Sequence, residues 1–138
     1  MRVRIKKAQL NHFIKKALAS KNEVLAFLVG KPHIEDQMVE VLRIAYPRIA
    51  SASDMHVHAA PRSQKKIILE AAVKGHEILG TIHSHPDEPP EMSPDDYSNH
   101  LECRDIVSGI VSVQNGEARV VFWQADKALK CDLEYIKR

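Results

Sequence analysis

A chain of 138 residues with 44% hydrophobic content can fill the core of one domain and is too short for two ordinary ones. A formal net charge of +2 argues against nucleic acid as the partner, because the lysine pairs Lys6–Lys7, Lys15–Lys16 and Lys65–Lys66 fall on separate segments and read as solvated helix faces. No apolar run approaches the ~18 residues that a membrane span needs. The two cysteines, Cys103 and Cys131, form no CxxC pair, which excludes a cysteine-rich zinc knuckle. With no signal peptide in evidence they point to the reducing cytoplasm, and a single disulfide between them stays open.

The elements follow in chain order. Lys6 to Ser20 places Leu10, Phe13, Ile14, Ala17 and Leu18 on one helical stripe. Glu23 to Val29 is a nearly continuous apolar run closed by Gly30, suited to a buried strand. Met38 to Tyr46 predicts a second strand, Ile49 to Asp54 a small polar loop, and Met55 to Ala59 a short strand. Pro61 fits a helix first turn, and the stripe Ile67, Ile68, Ala71, Ala72 runs to a stop at Gly75. Glu77 to His83 predicts a strand, and His85 to Met92, which holds three prolines, an irregular loop. Ser93 opens a helix to about Arg104. Ile106–Val113 and Ala118–Gln124 form a hairpin about Asn115-Gly116, and Leu129 to Ile136 is a last strand. Helices between strands, with an antiparallel hairpin at the end, define an α/β or α+β sandwich around a mixed sheet.

The chemistry is concentrated in His83-Ser84-His85-Pro86 and Met92-Ser93-Pro94-Asp95-Asp96. Residues two apart on a strand face the same way, so His83 and His85 can aim both imidazoles at one point. Pro86 turns the chain, and the next helix brings back Asp96. Two imidazoles and a carboxylate make three ligands with a fourth position open, the pattern of a catalytic zinc site. Ser93 and Asp96 are also a helix capping pair, and a cap fixes where Asp96 points. A second pair, His56 and His58, lacks a trailing acid and reads as a decoy. Glu88 and Glu91 read as solvated loop residues. Glu23, opening an apolar strand, is the better candidate for the base beside the metal.

Taken together, Glu23-Val-Leu-Ala-Phe-Leu-Val-Gly30 followed by His83-x-His85-x7-Ser93-x2-Asp96 resembles the JAMM/MPN+ metalloproteases, over roughly Ala8 to Phe122. The resemblance implies one domain over residues 1–138 with the MPN, cytidine deaminase-like α/β sandwich, a mixed sheet flanked by helices. It implies one zinc ion per chain on His83, His85 and Asp96. Glu23 would carry the proton from water to the leaving amine, and Ser93 would hydrogen-bond the oxyanion. The implied reaction is hydrolysis of an isopeptide bond between the C-terminus of a ubiquitin-like β-grasp modifier and a lysine. The modifier's tail would add as a strand near Met55 and Val57, with Met92 beside the site. Release of a sulfur-carrier protein from a C-terminal extension and a non-catalytic scaffold are the alternatives. Ala26 replaces a common glycine and Met92 a common proline, and neither removes a reacting group. His100 and Cys103 are too few for a second zinc site and read as helix residues. Oligomeric state is open, a homodimer included.

Overall fold

The computed structural model describes residues 1–94, 96 and 105–136. The described elements are β1 (Arg2–Ile5), α1 (Lys7–Leu18), β2 (Leu25–His33), β3 (Met38–Ala45), β4 (Ile49–Ala52), β5 (Val57–Ala59), α2 (Pro61–Val73), β6 (Glu77–Pro86), β7 (Val107–Gln114), β8 (Glu117–Gln124), β9 (Leu129–Lys130) and β10 (Asp132–Tyr135). The main sheet runs β10-β1-β3-β2-β6-β7-β8-β9, and β4 pairs with β5 separately. It is mixed: β1 is parallel to β3 and β10, β6 is parallel to β7, and the other pairs are antiparallel. The strands β9 and β10 are separated only by Cys131, yet they stand at opposite ends of this order. The sheet therefore curls until its two edges meet.

Each helix buries part of its apolar stripe, while Leu18 of α1 and Ile68 and Ala72 of α2, expected on those stripes, are exposed. Leu10, Phe13 and Ala17 of α1 are buried and share a core with Val3, Ile5, Leu28, Val39, Val41, Leu79, Ile82 and Phe122 of the sheet. A fully buried side chain of Leu or Phe size stabilises by about 1.5–3 kcal/mol over an exposed one. Lys15 and Lys16 in the last turn of α1 sit favourably at the negative end of the helix dipole. On the other face, Ile67 and Ala71 of α2 pack on Val29, Ala45, Phe27 and Ile78. Gly75 stops α2 with a φ of +72°, a left-handed conformation that a side chain disfavours. Asn115 and Gly116 both have positive φ, 53° and 76°, as a two-residue hairpin turn between β7 and β8 requires.

Several expectations need correction. Ile49–Ala52, predicted as loop, is strand β4; all four residues are exposed, so they carry no burial pattern to read. Arg2–Ile5 forms β1, unanticipated although Val3 and Ile5 alternate inward. Glu23 precedes β2, which starts at Leu25. The strand expected to end at His83 continues to Pro86, because parallel pairing with β7 extends through His85 and Pro86. The single last strand is two, broken where the Cys131 N–H turns to the Phe122 carbonyl and Asp132 N–H to Met1. Pro94 and Asp96 are helical, while the remainder of the segment expected to be a helix, with His100 and Cys103, lies outside the described residues, as does any Cys103–Cys131 pairing. Among the described residues no helix is long and apolar enough to cross a membrane.

Candidate metal centre

The site lies on the α2 face of the sheet, where β6 runs between β2 and β7. His83 and His85 alternate with Ser84 along β6, and both imidazoles are nearly buried, at 6% and 5% exposure. Their Nε2 atoms are 3.1 Å apart. Asp96 completes the triangle, with Oδ1 at 3.2 Å from His83 Nε2 and Oδ2 at 3.1 Å from His85 Nε2. Glu23 offers a carboxylate oxygen within 4.8 Å of donor nitrogens on both histidines.

The surrounding bonds fix these donors. His85 Nδ1 lies 3.0 Å from the Pro89 carbonyl, which can only accept, so Nδ1 carries the proton. The Nε2 lone pair of a neutral His85 then faces His83 and Asp96. Ser93 and Asp96 cap each other: Ser93 N–H donates to Asp96 Oδ2 at 3.0 Å, and Asp96 N–H donates to Ser93 Oγ at 3.1 Å. The loop from Asp87 is strapped to the sheet by Asp87 N–H to the Val113 carbonyl, Trp123 Nε1–H to the Pro90 carbonyl and Ser112 Oγ–H to the Glu88 carbonyl. A proline-rich segment with few N–H donors is held by what its carbonyls accept.

Charge behaves as this crowding dictates. Burial pushes the Glu23 carboxyl up to about 7, with the negative charges of Asp96, Glu88 and Asp54 adding and His85 opposing. Burial would also raise Asp96, but hydrogen bonds from His83, His85 and the Ser93 N–H outweigh it and hold that carboxyl well below the ordinary range. Burial lowers His85, yet its bonds to Asp96 and Pro89 and the charges of Asp96 and Glu23 leave its pKa raised.

The donor set fits a divalent cation. Bond lengths of about 2.0–2.2 Å in a tetrahedral shell imply neighbouring ligand atoms about 3.3 Å apart. The observed spacings of 3.1, 3.1 and 3.2 Å match that edge. Two imidazoles of borderline softness and one harder carboxylate are a mixed donor set that suits zinc.

Two cavities flank the centre. One, of ≈ 200 Å³, has Leu25, Phe27, Val57 and Ala59 in its wall together with Glu23 and His83. The other, of ≈ 360 Å³, is lined by Glu23, His85, Ser93 and Asp96 on one side and Asp54, Met55, His56, Val57 and His58 on the other. Met55, 80% exposed, and Val57 thus stand on the cleft wall, and Met92 is half-buried in the loop before Ser93. The pair His56–His58, read from sequence as a decoy, occupies the same rim, and Glu88, exposed as expected, also lines the same cavity. Sequence offered no signal for this, because only the β4–β5 hairpin brings those histidines to the cleft.

A curled mixed sheet with a helix on each face and an HxH-plus-acid centre at mid-sheet defines an MPN-type domain. The model for prokaryotic homologs of the JAB domain matches residues 6–126, and the chain belongs to that family. Two solved structures share the fold. A Desulfitobacterium hafniense protein known from its solution structure aligns with a TM-score of 0.74 at 19% identity, covering 99% of this chain and 94% of its own. A JAB1/MPN domain protein from Archaeoglobus fulgidus aligns with a TM-score of 0.59 at 18% identity, covering 98% of each chain. No curated protein matches.

Proposed function

We propose that this protein is a zinc metallopeptidase of the JAMM type that hydrolyses the isopeptide bond between the C-terminus of a ubiquitin-like β-grasp modifier and a lysine of its target. The observation that carries the reading is the convergence of His83, His85 and Asp96 at coordination spacing beside a carboxylate raised to about 7. A zinc ion held by these three residues would supply Lewis acidity, lowering the pKa of water and polarising the scissile carbonyl. Glu23 accepts the proton of the attacking water and returns it to the departing lysine amine. A base with a pKa near the working pH suits both halves of that transfer. Ser93 Oγ accepts from the Asp96 N–H, which leaves its own proton to donate to the oxyanion. The modifier's extended tail lies along the β4–β5 hairpin, with Met55 and Val57 beneath it, and reaches the centre through the cleft.

The test combines metal analysis of the purified protein with cleavage of a lysine-linked β-grasp conjugate, with and without chelator. The expected result is about one zinc per chain and chelator-sensitive release of the modifier. Cleavage confined to a linear C-terminal extension would move the substrate to a sulfur-carrier precursor, and a protein that neither binds zinc nor cleaves would be a scaffold.

A further inference from the structure

Glu23 stands outside the regular ladder of the sheet, two residues before β2. Backbone bonds to two serines set its position. Its own N–H donates to the Ser53 carbonyl at 2.7 Å. The next N–H, that of Val24, donates to Ser84 Oγ at 2.8 Å, while Ser84 N–H donates to the Val24 carbonyl at 2.9 Å. In a continuing antiparallel pair Val24 N–H would go to the Ser84 carbonyl. Here the hydroxyl takes it, so the chain leaves the sheet just where Glu23 must turn toward the imidazoles. Ser84 is 1% exposed and lies between the two histidines along β6.

Ser53 in turn organises the β4–β5 turn. Its hydroxyl accepts from the N–H groups of Met55 and His56, both at 3.1 Å, and contacts His56 Nδ1 at 2.8 Å. Its N–H donates to the His56 carbonyl at 2.8 Å. The residue that receives the Glu23 N–H is therefore the one that closes the hairpin on the cleft wall.

We propose that Ser84 and Ser53 are positioning residues for Glu23: Ser84 ties the carboxylate's backbone to the strand that carries the histidines, and Ser53 ties it to the hairpin beside the substrate. The inference rests on the hydrolytic reading above and adds how the base is aimed. A carboxylate carried on an irregular segment shifts when either tie is removed, and misplacement by about 1 Å costs roughly 10²-fold in rate.

The experiment uses the zinc-loaded full chain and the conjugate it cleaves. Ser84→Ala is expected to lower kcat about 10–100-fold, with KM and zinc affinity little changed; Ser84→Thr, which keeps the hydroxyl, restores kcat. Ser84→Cys keeps the bulk with a weaker acceptor and serves should the alanine variant not fold. In a Glu23→Gln background Ser84→Ala has no further effect on residual turnover. Ser53→Ala keeps the carbonyl that receives the Glu23 N–H and removes the hydroxyl that holds the turn, so it is expected to raise KM through the cleft wall and to lower kcat less than Ser84→Ala does. An unchanged kcat in Ser84→Ala, or a loss that tracks zinc affinity, overturns the proposal. An inactive wild type overturns the functional reading instead, and the positioning claim is then decided by the crystal structure of Ser84→Ala. There the Glu23 carboxylate should lie beyond the 4.8 Å within which it now meets both imidazoles; a carboxylate still in place refutes the claim.

Discussion

In the metal-free protein, Glu23→Gln should be stabilising above neutral pH and neutral below pH 4. The carboxyl is raised from 4.5 to about 7, chiefly by burial. A raised folded-state pKa means that the neutral acid is the form the fold accepts. The contribution of the acid is therefore fully present below 4.5 and is lost as pH rises through about 7. At about 1.4 kcal/mol per unit the shift sets an upper bound near 3 kcal/mol, and partial solvent access reduces this to about 1–2 kcal/mol. Glutamine has the same shape and no charge to desolvate. Urea unfolding of both proteins in chelator at pH 4, 7 and 8.5 reads the difference. The variant should match wild type at pH 4 and exceed it by about 1–2 kcal/mol at pH 8.5. Zinc should narrow that gap, since a divalent cation beside Glu23 favours its charged form. A variant no more stable than wild type at pH 8.5 would show that Glu23 is well hydrated or paired, and the poised base would go with it.

Three further outcomes follow from named contacts. Asp96→Asn should weaken zinc binding at least about tenfold in a chelator competition and should also lower the melting temperature of the metal-free protein at neutral pH, since it removes the charge that His83, His85 and the Ser93 N–H stabilise in the fold. Ser93→Ala should lower kcat by about 10²–10³-fold and cost about 1 kcal/mol of stability through the lost cap; steady-state kinetics and urea unfolding separate the two effects. Gly80→Ala should destabilise by about 3 kcal/mol or more in urea unfolding, because an added Cβ would sit 1.7 Å from the Val107 carbonyl oxygen.

The convergence of the candidate donors was legible because the pattern is local and obeys simple periodicities. HxH on a strand shares a face, and a serine three residues before an acid is a helix start. Both signals survive without knowing the tertiary fold, and His83, His85 and Asp96 do meet. The helices were legible for the same reason, since Leu10, Phe13 and Ala17 repeat at helical spacing. What stayed hidden depends on contacts distant in sequence. Ile49–Ala52 is a strand only because Val57–Ala59 lies beside it, and its exposed side chains carry no pattern. His56 and His58 reach the cleft only through that hairpin. Ser84 looks like a spacer between two histidines until the backbone of Val24 is placed against it.

The deepest dependence is one of register. Leu28 pairs with Gly80 and Val29 with Ile78, so Leu79 has no partner on β2 and the strand carries a bulge. Before the bulge Ile78 packs on α2; after it Ile82 packs on the α1 core with Leu79. Strict alternation from an inward Leu79 would turn His83 into the α1 core and Ile82 out toward α2. The extra residue reverses that parity, so both imidazoles open on the cleft while Ile82 stays buried. Gly80 permits it, since only a residue without Cβ comes so close to the Val107 carbonyl. The two histidines that sequence sets two apart at a strand end are thus aimed by a glycine three positions before the first of them, whose role appears only when β7 is laid alongside.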